Sequence, residues 1–276
     1  MTNPRTLLEI HELLPKKSLG QNFIHDTNML EKIVNTAEIM PDDTVVEIGP
    51  GTGAMTRVLA SKARHVICVE IDKSLRPVLE SELAEFDNVL LVFDDILKVD
   101  ILHLVGTKPF VVVANVPYYI TSKIIRQLLD VHRRPRTIVL TIQYEVAERI
   151  CAEPGDMSLL AVSVQFYGKP SLVTKVNPAV FWPRPDVDSA ILRIDPFDHP
   201  QFDVPDSKTF FRVVKAGFSQ KRKQLKNSLG GGLGMKSKVA GGLLEDAGID
   251  VKRRAETLTL AEWAALSRVY AASQSS

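Results

Sequence analysis

The stretch "TVVEIGPGTGAMTRVLASKARHVICVEID", Thr44–Asp72, sets the architecture of this chain. A run rich in β-branched residues reaches Gly49, passes Gly51 and Gly53 into the helical pattern "AMTRVLASKA", and is followed by a second Val/Ile-rich run, "HVICVEI". Short apolar runs without polar alternation fit strands buried on both faces, so strand, glycine turn, helix and strand in that order predict a βαβ unit. Glycines at such a turn let the backbone approach a ligand closely. The spacing also satisfies G-x-G-x-x-A with Ala54 last, a pattern that suits a dinucleotide as well as a smaller nucleoside.

The alternation continues. "NVLLVF", "FVVVA" and "TIVLTI" read as further strands, with helical patterns at "KSLRPVLESELAEF" and "SKIIRQLLDVH". The predicted fold class is therefore α/β, a Rossmann-like parallel sheet covered on both faces by helices. After about residue 150, "LLAVSVQFYG", "SLVTKV" and "SAILRID" read as late strands without intervening helices, and the Pro-rich "VNPAVFWPRPDVD" as a constrained loop. From "DHPQFDVPDS" onwards the pattern is helical, first over Phe210 to Ser228, then "KSKVAGGLLEDAG", then "LAEWAALSRVYAAS". A boundary near Pro200 divides a catalytic domain, 1–199 with an N-terminal arm over 1–20, from a helical domain, 200–276. "LGGGLG" at 229–234 reads as a link between helices rather than a phosphate loop, because no strand precedes it.

With 276 residues and 45% hydrophobic content, the chain can bury one sizeable core and carry a small second domain. It has no apolar run long enough to span a bilayer and no secretory apolar block, which makes the cytoplasm the expected compartment and excludes a membrane. Cys68 and Cys151 read as reduced thiols, and the six histidines have no ligand spacing, so no metal is expected. A formal net charge of +1 conceals uneven distribution. "KAGFSQKRKQLKN", with Lys221, Arg222 and Lys223, holds no acid; Lys16 and Lys17, "VHRRPR" and "VKRR" add three more basic clusters. Four such clusters point to an anionic partner.

Three strand ends converge chemically. Glu70 closes "VICVEI", twenty-one residues after Gly49, where an acid can accept from both hydroxyls of a ribose. Asp95, or its neighbour Asp94, follows the third strand and can accept from an adenine amino group or cap a helix. Asn115 ends the fourth. Together with Gly49 and Gly51 these residues predict one polar crevice at the carboxyl edge of the sheet.

In these residues the chain resembles the KsgA family of ribosomal RNA adenine dimethyltransferases. The likeness runs through "KKSLGQNF", "EIGPGTGAMT", "VEID", "ANVPYYITSKII", "QYEVAERICAEPGD", "NPAVFWPRPDVDSAILRI" and "FFRVVKAGFSQKRKQLKNSL". It implies a class I methyltransferase sheet of seven strands, one of them late and antiparallel, followed by a small helical domain. It implies S-adenosylmethionine as cofactor and, as substrate, N6 of two adjacent adenosines in a 3′-terminal hairpin of 16S rRNA, within the immature small ribosomal subunit. Carried over by position, Asn22 and Ile24 resemble the family's lid over the cofactor, Gly49 its glycine-loop contact, Glu70 its ribose ligand, Asp95 its adenine ligand and Asn115 a residue touching cofactor and substrate. A monomer is expected.

The chemistry gives "NVPY" a reason. The lone pair of an adenine N6 is delocalised into the ring, and two acceptors, the Asn115 side-chain oxygen and the Val116 carbonyl, would draw that nitrogen towards tetrahedral geometry. Pro117 restricts Val116 to an extended conformation, which helps to aim its carbonyl. Tyr118 is the expected stacking partner of an extruded purine, and Phe181 the expected second wall opposite it. Lys221, Arg222 and Lys223 are expected on a helix facing RNA phosphates. Two departures from the family stand out: Tyr144 follows Gln143 where relatives usually carry Lys, and "DMSLLAVSVQ" lacks the usual Tyr-Gly pair. Other readings are a 23S rRNA methyltransferase of the antibiotic-resistance type, a catalytically silent ribosome-assembly factor, and a nicotinamide-dependent oxidoreductase.

Overall fold

The computed structural model describes residues 3–274. Its strands are β1 (Phe23–Ile24), β2 (Thr44–Ile48), β3 (His65–Val69), β4 (Val89–Val92), β5 (Phe110–Asn115), β6 (Thr137–Gln143), β7 (Gly168–Val176), β8 (Phe181–Trp182) and β9 (Ser189–Pro196). Seven of them form one sheet in the order β4-β3-β2-β5-β6-β9-β7, and β1 pairs with β8 in a separate two-stranded sheet. Strands β2 to β6 run parallel to their neighbours, whereas β9 lies antiparallel to β6, from Ile138 opposite Ile194 to Gln143 opposite Ser189.

The continuous apolar runs are explained by burial on both faces. Val111 to Ala114 in β5 are fully buried, as are Val45 and Val46 in β2 and Ile138 to Leu140 in β6. Helices Ala54–Ala60, Arg76–Glu82 and Thr121–Leu129 connect the parallel strands, and the last turns Ile124, Ile125, Leu128 and Leu129 into the core. Neighbouring β2 are β3 on one side and β5 on the other. The chain therefore leaves β2 in one direction and later returns to its other edge, and a crevice opens beyond the carboxyl ends of these two strands.

The chain forms two compact units, one of residues up to Ala147 with Pro170–Pro196, the other of Glu148–Lys169 with Phe197 onwards. The second crossing lies close to Pro200, while 148–169 join the helical unit. The expected strand "LLAVSVQ" is in fact a helix, Leu159–Gln165, started by the Ser158 hydroxyl, which accepts from the Ala161 N–H at 3.1 Å. An apolar run of that length does not distinguish strand from buried helix, and here the cap tips the balance. Phe166, just beyond it, stacks on Phe210 at 4.4 Å within a core that also holds Trp263, Leu225 and Leu244.

Two more expectations are corrected in that unit. The continuous helix from Phe210 to Ser228 is two helices, Ser207–Gly217 and Leu225–Leu233, so Lys221, Arg222 and Lys223 lie on the exposed turn between them. "LGGGLG" is not a link: Leu229 to Leu233 are helical, and only Gly234 adopts the left-handed conformation that ends the helix. These glycines serve close packing. A Cβ on Gly232 would lie 2.5 Å from Cα of Ala216 on the preceding helix. In the N-terminal arm, Pro4–Ile10 is helical and buries Leu7 and Leu8 beside Leu75, Val78 and Leu79.

This packing separates two helical glycines. Gly232→Ala should destabilise the protein by about 1–3 kcal/mol through overpacking against backbone. Gly242→Ala, in helix Ser237–Asp246 with open space around its Cβ position, should be neutral or stabilise by up to about 1 kcal/mol. Urea titrations of the two variants check the difference, and equal destabilisation would contradict it.

Candidate active site

The crevice at the reversal of strand order is a cavity whose lining includes Gly49, Gly51, Glu70, Asp95 and Asn115, closed on another side by Leu19 to Ile24. It lies wholly within the first unit. After β2 the chain takes positive φ at Gly49 (72°), Gly51 (61°) and Gly53 (83°), so the loop folds back on itself before helix Ala54–Ala60. Gly51 meets a second demand. A Cβ there would lie 2.8 Å from the ring of Phe23, so only glycine lets β1 sit against the loop.

Glu70 is 5% exposed, and both its oxygens are held by backbone: Oε2 accepts from Gly51 N–H at 3.1 Å and Oε1 from Asp72 N–H at 2.8 Å. Burial raises its pKa, and these two bonds oppose the rise. Each carboxylate oxygen keeps a further lone pair for a hydroxyl donor. Asp95 is half-buried and also caps the following turn, its Oδ1 accepting from Leu97 N–H at 3.0 Å. Asp94 lines the same cavity. Both roles weighed for this pair, ligand and cap, thus remain compatible with its position.

Asn115 ends β5 opposite Thr141, and its Nδ2 donates to the carbonyl of Asn22 at 2.7 Å. That bond fixes the amide's orientation and leaves Oδ1 without a protein donor among the described residues. Val116, Pro117 and Tyr118 line the cavity beside it, and Val116 donates its N–H to Thr141 at 3.1 Å. The Tyr118 hydroxyl lies 2.7 Å from Ser189 Oγ, which anchors the far end of the ring. Burial raises the pKa of Tyr118, while the bond to Ser189 acts the other way. Tyr119 stands exposed at the rim.

Asn22 and Ile24 line the cavity as expected for a lid, but Phe181 does not. It is 3% exposed, pairs with Ile24 across β1 and β8, and packs into the core with Val176 and Ile191. The structure thus places it as the aromatic that anchors the Pro-rich loop rather than as a wall opposite Tyr118. Trp182 packs its ring on Phe23 at 6.4 Å. Lys221, Arg222 and Lys223 belong to the second unit, and among the described residues no ion pair engages them. Lys16, expected in a basic cluster for an anionic partner, is instead paired with Asp72 at 2.5 Å. Tyr144 lies beneath the ammonium of Lys175, 4.9 Å from the ring centre.

Two groups escaped the sequence reading. One is Asp72, two residues after Glu70. Glu47, in the middle of an apolar strand, is fully buried and lines the cavity. Its Oε2 accepts from Thr56 Oγ1 at 2.6 Å and from Cys68 Sγ at 3.4 Å, whereas Oε1 has no partner. Burial pushes its pKa up to about 7. A charge interrupting "TVVEIG" was the available signal. Among the described residues no group of three or more His, Cys, Asp and Glu side chains is placed to hold a metal, and no helix is long and apolar enough to cross a membrane.

The family model for ribosomal RNA adenine dimethylase matches residues 13–266. The chain belongs to that family. It is 47% identical over 280 residues to a ribosomal RNA small subunit methyltransferase A of Moorella thermoacetica, covering 97% of each chain. To the protein of the same name from Dehalococcoides mccartyi it is 42% identical, over 98% of this chain and 94% of the relative. Among solved structures it resembles a dimethyladenosine transferase from Plasmodium falciparum, with 25% identity, a TM-score of 0.75 and coverage of 88% and 95%. The 23S rRNA methyltransferase ErmE superimposes with a TM-score of 0.71 at 29% identity, over 90% of this chain and 98% of that one. As a member of the family the chain is an S-adenosylmethionine-dependent methyltransferase that acts on ribosomal RNA. The residues present fit that cofactor. A Cβ on Gly49 would lie 3.8 Å from the Asn115 carbonyl, a buried carboxylate offers acceptors for a ribose, and Glu47, which lines the cavity, keeps one oxygen without a protein partner.

Glu47 makes stability depend on pH in a defined direction. Its folded pKa lies near 7, above the ordinary 4.5. The folded state therefore holds the extra proton between these values, and stability falls as pH rises through that window. Glu47→Gln removes the titration. The stability of the variant relative to wild type should rise from pH 5 to pH 8 by on the order of 3 kcal/mol. Urea melts at the two pH values measure it, and a pH-independent difference would show that Glu47 titrates normally.

Proposed function

We propose that this chain dimethylates N6 of two adjacent adenosines in a 3′-terminal hairpin of 16S rRNA, within the immature small ribosomal subunit. The relatives from Moorella thermoacetica and Dehalococcoides mccartyi, similar over nearly their whole length, carry the name small subunit methyltransferase, which favours the small subunit over the large-subunit substrate named for ErmE. The protein works in the cytoplasm as a monomer. The first unit, up to Ala147 with Pro170–Pro196, holds the cofactor, and the helical unit presents Lys221, Arg222 and Lys223 to RNA phosphates, which position without specifying sequence.

In this reading the Glu70 oxygens accept from the ribose hydroxyls of S-adenosylmethionine, Asp95 accepts from its adenine amino group, and Gly49 and Gly51 let it lie against backbone. Asn22 and Ile24 cover it. The cofactor supplies an electrophilic methyl group on a positively charged sulfur. The observation that carries the reading is Asn115: its Nδ2 is spent on Asn22, so Oδ1 is the atom left to receive a substrate donor. Oδ1 and the Val116 carbonyl each accept one N6–H of an extruded adenine, which directs the nitrogen lone pair towards the methyl carbon. Pro117 keeps Val116 extended. Tyr118 stacks on the purine with its hydroxyl tethered to Ser189. Methylation at N6 would release a proton from that nitrogen to water. An amide oxygen is too weak a base to take it, so Asn115 orients and does not deprotonate.

Mapping N6,N6-dimethyladenosine on ribosomal RNA from cells with and without the protein tests the assignment. The mark should disappear from 16S rRNA alone, and its persistence there, or its loss from 23S rRNA, would refute the small-subunit reading. With purified immature subunits, Asn115→Ala should slow transfer by roughly 10²-fold while cofactor affinity changes by only a few fold. Glu70→Ala should instead weaken cofactor binding by about tenfold or more. Calorimetric titration beside tritium incorporation separates the two, and equal losses of affinity would reassign Asn115 to cofactor binding.

A further inference from the structure

We infer that Asp72 is a positioning residue that latches the segment Lys16–Ile24 over the donor cavity and so sets how long the cofactor is retained. The inference rests on the reading of the cavity as the S-adenosylmethionine site. Residues Leu19 to Ile24 form one wall of that cavity, so anything that frees them opens it. The segment is fixed at three places. At its end, Phe23 and Ile24 pair with Trp182 and Phe181. In its middle, the Asn22 carbonyl accepts from Asn115. At its start Lys16 and Gln21 both donate to Asp72, and Lys16 also reaches the hydroxyl of Ser74 at 2.9 Å, itself bonded to Asp72.

Asp72 is 4% exposed and accepts four hydrogen bonds. Two come from its own turn, Ser74 N–H at 3.0 Å and Ser74 Oγ at 2.6 Å. The other two reach it from far along the chain, Lys16 Nζ at 2.5 Å and Gln21 Nε2 at 2.8 Å. Gln21 also accepts from the Lys16 N–H at 2.7 Å, so one amide ties both ends of the turn through Gly20. A helix-capping aspartate needs only the first pair. The second pair has no function in the turn and couples the wall to the strand that carries Glu70.

The coupling is short. The Asp72 N–H donates to Glu70 Oε1 at 2.8 Å, and Glu70 Oε2 takes the Gly51 N–H at 3.1 Å. One continuous set of hydrogen bonds thus runs from Lys16 and Gln21 through Asp72 and Glu70 to the glycine loop. Although burial pushes the Asp72 carboxyl upwards, the bonds from Lys16, Ser74 and Gln21 prevail and hold its pKa below the usual value. A buried carboxylate this well satisfied holds its partners firmly, and each partner removed leaves part of it unsatisfied. Two successive transfers require product cofactor to leave and fresh cofactor to enter, and this wall is the part of the site that must yield.

The test uses full-length protein and S-adenosylmethionine and S-adenosylhomocysteine as probes. Lys16→Met and Gln21→Ala each act at the latch without touching Asp72, so the inference does not depend on the folding of an Asp72 variant. Both should speed release of S-adenosylhomocysteine in stopped-flow displacement, the double variant by about tenfold. Trypsin should also cleave faster after Lys17 in both. Glu80→Ala, which removes only an exposed ion pair with Arg76 on the following helix, should leave the release rate unchanged. Wild-type release from the Lys16 and Gln21 variants, while Glu70→Ala loses affinity, would overturn the latch and spare the cavity assignment. Undiminished affinity in Glu70→Ala would overturn the cavity assignment and the latch with it.

Discussion

A carboxylate stays charged in a protein interior only where donors reach it, and Glu70 is held at both oxygens by backbone N–H groups. One donor comes from the glycine loop after β2 and the other from the residue that follows β3 by three positions. The first bond therefore joins neighbouring parallel strands at their carboxyl ends, and the second shapes the turn that leaves β3. They give the loop its form without any side chain of its own, which matters because the loop must stay bare for a ligand to approach. The rest of the site is arranged around this clasp: Asn115 enters from the other neighbour of β2, and the wall Leu19–Ile24 leans on Gly51 through Phe23.

Three carboxylates at this edge of the sheet differ in their surroundings and hence in their chemistry. Asp72 has a lysine and is kept acidic; Glu70 has only backbone and is raised; Glu47 has two weak side-chain donors and an orphan oxygen, and is raised to about 7. Burial drives the two rises, and only at Asp72 do the donors outweigh it. A cationic ligand in the cavity would favour the charged forms of the two that face it. The field of this site is thus largely preset by the fold, which suits a reaction that needs alignment and a matched charge environment more than proton transfer.

The sheet was legible in the sequence because its strands are buried on both faces, so "TVVEIG", "HVICVEI" and "FVVVA" show unbroken apolar runs between helical patterns. Glu70, Asp95 and Asn115 were legible for a related reason: a polar residue at the end of such a run has few places to go but the crevice. Two kinds of feature were not. "LLAVSVQ" has no period that separates helix from strand, and its state depends on the Ser158 cap and on partners such as Phe210, fifty-two positions after that cap. "LGGGLG" reads as flexible because local propensity penalises glycine in helices; the contact with Ala216 that requires glycine lies outside any local window. Phe181 shows the same limit. Its neighbours in sequence suggest an exposed loop, and only pairing with Ile24 reveals that the loop turns it inward.

The latch residues were invisible for a different reason, and that reason bears on how the site works. Lys16, Gln21 and Asp72 are ordinary polar residues in turns, and nothing local distinguishes a lysine that neutralises a buried acid from one that meets a phosphate. Their meaning arises from closure of the chain's beginning onto the end of β3. Such long-range polar contacts are weaker per residue than the apolar contacts of the sheet, because each also loses hydration. The start of the wall is consequently fastened by polar bonds to one carboxylate, while its end is fastened by strand pairing and by the buried side chains of Phe23 and Ile24. A site that holds one molecule through a transfer and then exchanges it can release the first part while the second stays in place.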